Sequence, residues 1–425
     1  MAVTGYEVDV VRRHENGTET SVPCTESYNH HYVASIAGKQ AVSVGHGEDV
    51  GHGHVPLYRI ASGAERDPIG IPVVQTFSEH NGNEARQSFH GLPRGVVQPI
   101  AQPDRFIFNP MQINTRNPDG SGRVGGPLPL NSRAPPNASY SGLIECPCTT
   151  RTQKTPATAG MPGTINGVPF DGGCKPKPLS DLLWQQNPTC EVASYVGGMA
   201  CCVDGTFLLD AEQDVPPAED EVFFKWRFYF MDFDPRWQRS AFHLEWSING
   251  CDSGGPHGNP HNCRHIEYDV PGAPPGTPPE ATVHVVTSKW RVRDMMHPCN
   301  RSTDPQCADP WFAEKTGVYL VMIGGHCHAP ACIDVELRNA DSGEILCRIL
   351  PVFGSGSKAK NEKDYVWLPP CQFGSNEEGL RPPPLLHLDT NLIMRKRANS
   401  TYHHLGVMGI VQMRAIYAAQ GLPIL

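Results

Sequence analysis

No stretch of this 425-residue chain approaches the roughly 18 consecutive apolar residues that a membrane-spanning helix requires. Helical periodicity is equally scarce, with residues 179–184 offering at most one turn or two. Lys and Arg never cluster beyond Arg395-Lys396-Arg397, and the formal net charge is −9, so nucleic-acid binding has no electrostatic footprint. Neither Gly-x-Ser-x-Gly nor His-Glu-x-x-His occurs, which removes the usual signatures of an esterase-type nucleophile and of a zinc peptidase. The opening Met1-Ala2-Val3-Thr4-Gly5-Tyr6 lacks the apolar core of a signal peptide. Either a leader has been removed from this chain, or export begins upstream of it.

What is abundant points to an exported β protein. Gly (42) and Pro (41) are too frequent for a helical fold, because proline removes a backbone donor and glycine weakens helix interiors. Short strands joined by long turns suit that composition. Fifteen cysteines, spread from Cys24 to Cys371, fit an oxidising compartment, and their odd number leaves at least one without an intrachain partner. Four glycosylation sequons, at Asn16, Asn137, Asn300 and Asn399, point the same way. A secreted or cell-surface location follows.

The expected fold is mostly β: two jelly-roll-like β-sandwich domains with long Pro/Gly-rich loops and disulfides. A loop-rich domain over residues 1–215 carries a His-His pair, and a second over 216–425 has sharper strand signals. Phe224, Trp226 and Phe228 alternate with Lys225 and Arg227, the period of a half-buried strand. Further strands are predicted at residues 241–248, 282–292, 318–323, 333–338, 345–350 and 407–416. Cys347 ends a predicted strand and Cys371 follows a long loop, so a bridge between them would close that loop. Cys201 and Cys202, being adjacent, would join different partners.

Most of the 19 histidines suit surface loops, including His46, His52 and His54 in a glycine-rich stretch. His257, His261 and His265 flank Cys251 and Cys263, but without a Cys-x-x-Cys knuckle those cysteines read as disulfide partners. Three places stand out as metal-ligating. Tyr28-Asn29-His30-His31-Tyr32 sets two imidazoles side by side; on a strand they face opposite ways, so both serve one ion only at a bulge or an edge. Gly324-Gly325-His326-Cys327-His328 places two imidazoles on one strand face by the two-residue period. His403-His404-Leu405-Gly406-Val407-Met408 adds a thioether, a soft ligand that favours copper over zinc. His90 stands alone in Ser88-Phe89-His90-Gly91.

The second half of the chain resembles the stress-up-regulated nodulin-nineteen family. The likeness rests on Gly197-Gly198-Met199-Ala200-Cys201-Cys202, Phe233-Asp234-Pro235, Ile266-Glu267-Tyr268-Asp269-Val270, His326-Cys327-His328, Gly343-Glu344-Ile345-Leu346-Cys347 and His404-Leu405-Gly406-Val407-Met408. A more distant resemblance is to the copper type II, ascorbate-dependent monooxygenases of the peptidylglycine and dopamine hydroxylase group. That resemblance implies an electron-transfer copper at His30, His31 and His90, with His80 competing for the third place. It implies an oxygen-binding copper at His326, His328 and Met408, with His404 as the alternative to Met408.

Two functions from different classes therefore stand side by side. One is an extracellular copper protein that activates O2 at a His/His/Met site. The other is a glycosylated matrix, cell-surface or filament-forming protein on the same fold, whose partners would be further copies of itself or matrix glycans.

Overall fold

The computed structural model describes residues 1–24, 26–46, 56–61, 71–77, 89–114, 220–247, 267–270, 273–295, 315–328, 331–355, 362, 366–401 and 404–419, with short strands at 163–165, 168–170 and 198–199. The amino-terminal part contributes β1 (Ala2–Arg13), β2 (Ser27–Gly38), β3 (Val74–Thr76), β4 (Val96–Pro99) and β5 (Pro103–Asn114). Then come β6 (Phe223–Met231), β7 (Arg239–Ser247), β8 (Val283–Arg291), β9 (Lys315–His326), β10 (Cys332–Asn339) and β11 (Ile345–Ile349). The carboxy-terminal part adds β12 (Cys371–Gln372), β13 (Asn391–Asn399), β14 (His404–Met408) and β15 (Ile410–Ala419). The fold is mostly β.

One ten-stranded sheet runs through the molecule in the order β6-β1-β4-β7-β15-β9-β12, with three short strands off this path. Two smaller sheets contribute the facing cores. The sheet β3-β2-β5 supplies Tyr32, Ala34 and Ile36, which pack with Val3, Tyr6 and Val8 of β1. The sheet β8-β13-β10-β11 supplies Trp290, Met394, Val335 and Ile349, which share a core with Leu320 and Ile323 of β9 and with Val411 and Met413 of β15. Alternation makes this possible. On β1, Tyr6, Val8 and Val10 are buried, while Glu7 pairs with Arg227 and Asp9 accepts from Ser21 on the polar side.

The expected division near residue 215 does not separate the sheets. β1 pairs antiparallel with β6, matching Val8 to Trp226, and β4 pairs parallel with β7, so strands from both sides of that position share one ladder. The first 114 residues are also richer in strand than their loop-like composition implied. β1, β2 and β5 are each 12 residues long. The strand expected over residues 407–416 is interrupted at Gly409. β14 pairs with residues Glu267–Val270, whereas β15 lies between β7 and β9. The turn expected at 179–184, Cys201, Cys202, Asn137 and Asn300 lie outside the described residues.

Among the described residues two disulfides tie the second half together. Cys347 and Cys371 are bonded with their Cα atoms 5.9 Å apart, joining β11 to β12. Cys327 and Cys332 are bonded across the connection from β9 to β10. The first bridge closes a separation of 24 residues, for which loop entropy gives about 3 kcal/mol of stabilisation. The double substitution Cys347→Ala/Cys371→Ala is expected to lower the free energy of unfolding by that amount. Urea denaturation followed by circular dichroism checks it; an unchanged midpoint would show that the bridge constrains nothing.

Candidate metal centre

β2 reaches the site through a defect in its ladder. Asn29 pairs with Gln112 and His31 with Met111, so two residues advance on β2 while one advances on β5. His30 is the extra residue. A bulge of this kind bends the strand and re-aims a side chain, the condition under which neighbouring histidines stop facing opposite ways. The His30 and His31 rings lie 5.3 Å apart, and both residues are buried.

β9 approaches from the other side. Its apolar run, Val318 through Ile323, is covered on both faces, and the strand ends at His326, opposite Ile410 of β15. Gly325 permits this. A Cβ there would stand 3.0 Å from Ile349 Cδ1 and 3.3 Å from Val335 Cβ, so any side chain would push β10 and β11 away. His328 follows just beyond the strand. The rings of His326 and His328 are 5.2 Å apart, and neither residue has measurable exposure.

Three imidazoles meet here. One ring nitrogen from each of His30, His326 and His328 falls within 4.8 Å of the other two. His30 Nε2 and His328 Nε2 are 3.1 Å apart. Nitrogens sharing one ion at roughly 2.0–2.1 Å must lie within about 4 Å of each other, and this pair does. His31 stands at the margin, its ring 6.4 Å from that of His326. Neither ring nitrogen of His326 has a hydrogen-bond partner among the described residues. Burying a polar group in that condition costs about 1–3 kcal/mol, a penalty that a bound cation would remove.

Burial, and then the neighbouring charges of His30, His328, His31 and Lys396, hold the His326 pKa well below its usual value. His326 is therefore neutral at ordinary pH, the form that coordinates metal. Lys396 comes from the Arg395-Lys396-Arg397 triplet of β13 and is fully buried, its ammonium donating to the Met408 carbonyl. The flanking arginines follow the strand alternation to the opposite face. Arg397 pairs with Asp334 and Arg395 with Glu336, both directly across the ladder on β10. Burial alone would raise the Asp334 pKa, but hydrogen bonds from Arg397 and Arg348 outweigh it and keep the carboxylate ionised.

Among the described residues one group of three imidazoles forms, and it cuts across the expected grouping. His30 was grouped with His31 and His90, yet the structure brings it to His326 and His328. His90 lies outside that group. It pairs with Tyr6 on β1, rests tilted against the Tyr6 ring with centroids 4.9 Å apart, and lines a small cavity with Gln98, Met322 and Arg414. A two-residue strand, His90–Gly91, holds it there by pairing antiparallel with β1. Met408 is fully buried and packs with Ile410. The side chain of His404 lies outside the described residues, as do His80 and His403. Sequence reasoning missed Lys396, which looked like part of a surface patch, and the Cys327–Cys332 bridge, whose signal was a second cysteine shortly after the His-Cys-His motif.

The family profile of stress up-regulated Nod 19 proteins matches residues 186–417, more than half of the chain. The chain belongs to that family. The matched region contains His326, His328, Lys396 and Met408, whereas His30 and His31 stand outside it. No curated protein and no solved structure matches the chain. No helix among the described residues is long and apolar enough to cross a membrane.

The depressed pKa of His326 has a consequence for stability. Below about pH 6.5 the unfolded chain takes up a proton at this position that the folded chain refuses. The metal-free protein is therefore expected to lose stability as pH falls below that value, by at most about 1.4 kcal/mol per pH unit from this residue. His326→Phe should flatten the loss. Urea midpoints at pH 7.5, 6.5 and 5.5 for both proteins test this, and parallel curves would contradict it.

Proposed function

We propose that this chain is an extracellular copper-binding protein whose ion is held by His30, His326 and His328. The observation that carries the reading is the convergence of three fully or almost fully buried imidazoles, one of them with both nitrogens lacking a hydrogen-bond partner among the described residues. Imidazole donors suit copper, zinc, iron and nickel. The choice of copper rests on charge and softness. The group contains no carboxylate or thiolate, and the buried Lys396 ammonium is close enough to act on His326. A monovalent ion, Cu(I), is opposed least by that environment. Met408 is the candidate soft donor: Ile410 sits opposite His326, and the Met408 carbonyl is held by the same Lys396. His31 is a further donor at the margin.

A bound copper would supply one-electron redox chemistry and, by likeness to the type II monooxygenases, O2 activation with an external reductant. The chain's own residues keep His326 neutral, exclude water from the ligand set, and fix His30 on a bulge. His30 joining the His326 group leaves one centre among the described residues, where the monooxygenase pattern uses two. Export is supported by the disulfides and by two exposed sequons, Asn16 in a turn and Asn399 at the end of β13.

Metal analysis of the full chain, expressed through a secretory pathway and purified without chelator, tests the proposal. About one copper per chain is expected, and His326→Ala or His30→Ala should weaken Cu(I) binding at least 100-fold. A wild-type chain that purifies metal-free and fails to compete with a copper chelator would leave the histidines structural, in keeping with a matrix or filament protein. The exported reading has its own test. Deglycosylation in heavy-oxygen water should label Asn16 and Asn399 as aspartate; unlabelled peptides at both would remove that support.

A further inference from the structure

The hydrogen-bonded ladder that orients His326 stops at His326. Alternation would carry His328 to the same face only if the chain stayed extended, and no ladder pair enforces that beyond the strand. Something else must hold His328 with its Nε2 atom 3.1 Å from that of His30. Two sets of contacts do so. The His328 carbonyl accepts from Ala331 N at 3.2 Å and from Cys332 N at 3.0 Å. The residue between the two ligands, Cys327, is covalently joined to Cys332.

Both ends of this bridge are anchored. Cys327 is fully buried at the end of β9, in the ten-stranded sheet. Cys332 opens β10 and pairs with Ala398 of β13, while Asn399 N donates to Ala331 O at 2.7 Å. The bridge therefore spans from the sheet that carries His326 to the sheet that carries Lys396. No sulfur belongs to the group formed by His30, His326 and His328, and the Cys327 sulfur is bonded to Cys332, so the bridge constrains the backbone without competing for the ion.

We infer that the Cys327–Cys332 disulfide is a clamp that positions His328 for coordination, so that the affinity of the centre depends on this bridge. The inference rests on the copper-binding reading above. Cys327 and Cys332 are positioning residues: they act through His328 by fixing beforehand a geometry that the ion would otherwise have to impose. The Cys347–Cys371 bridge, which joins β11 to β12, serves as a control that adds stability without bracketing a ligand.

The test compares Cu(I) affinity, by competition with bicinchoninate, among the wild-type chain, Cys327→Ala/Cys332→Ala and Cys347→Ala/Cys371→Ala. The clamp predicts at least a 10-fold weaker affinity in the first variant, with its β circular dichroism retained, and wild-type affinity in the control. The visible spectrum of bound Co(II) should change in the first variant alone. His328→Ala added to it should cost little more, because the ligand is already misplaced. If the first variant fails to fold, selective phosphine reduction of this bridge in the folded wild type, quantified by alkylation, replaces it. Wild-type affinity without the bridge overturns the clamp, and so does a loss of affinity that, in the reduced wild type, comes with loss of the β spectrum. A wild-type chain that binds no copper instead overturns the reading beneath it.

Discussion

A contact between two imidazole nitrogens 298 positions apart in the chain organises this molecule. It forms only if a bulge on β2 and the end of β9 arrive at one buried point, and each arrival depends on a different sheet. β2 lies in the small sheet over β1, and β9 lies inside the ten-stranded sheet. Burial then dictates the chemistry. An imidazole removed from water is held neutral, and a neutral imidazole with a free lone pair is a ligand. The group contains no carboxylate, so it is an uncharged set of imidazoles.

The surroundings show how one strand serves two purposes. On β13, Arg395 and Arg397 neutralise the buried carboxylates of Glu336 and Asp334, which would otherwise be costly in the sheet. Lys396, between them, turns inward and ties the end of β14 to the histidine group through the Met408 carbonyl. The interruption at Gly409 matters for the same reason. It frees the end of β14 to pair with residues Glu267–Val270 while β15 continues beside β9, so the Met408 carbonyl is available to the lysine.

Much of the second half was legible because its cues are local. Alternating Phe224, Trp226 and Phe228, the apolar run before Gly324, and the loop between Cys347 and Cys371 each express themselves within a few residues. The amino-terminal strands were harder to see, although the alternation of Tyr6, Val8 and Val10 with Glu7 and Asp9 was present. Glycine-rich loops around it masked the pattern. The triplet 395–397 misled for a related reason: charge alone does not say which side of a strand is buried.

By itself the sequence determined the β class, the presence of disulfide-forming cysteines, and the histidines with ligand spacing, including the need for a bulge or an edge at His30-His31. Side-chain period and turn chemistry are properties of neighbouring residues, so they survive without a fold. Which histidines converge was decided only by tertiary structure. The packing of the small β3-β2-β5 sheet over the ten-stranded sheet brings residues near 30 and 326 together, while His90 rests against the Tyr6 ring. Pairing between distant strands depends on register and layer packing across the whole molecule, and no local pattern encodes it.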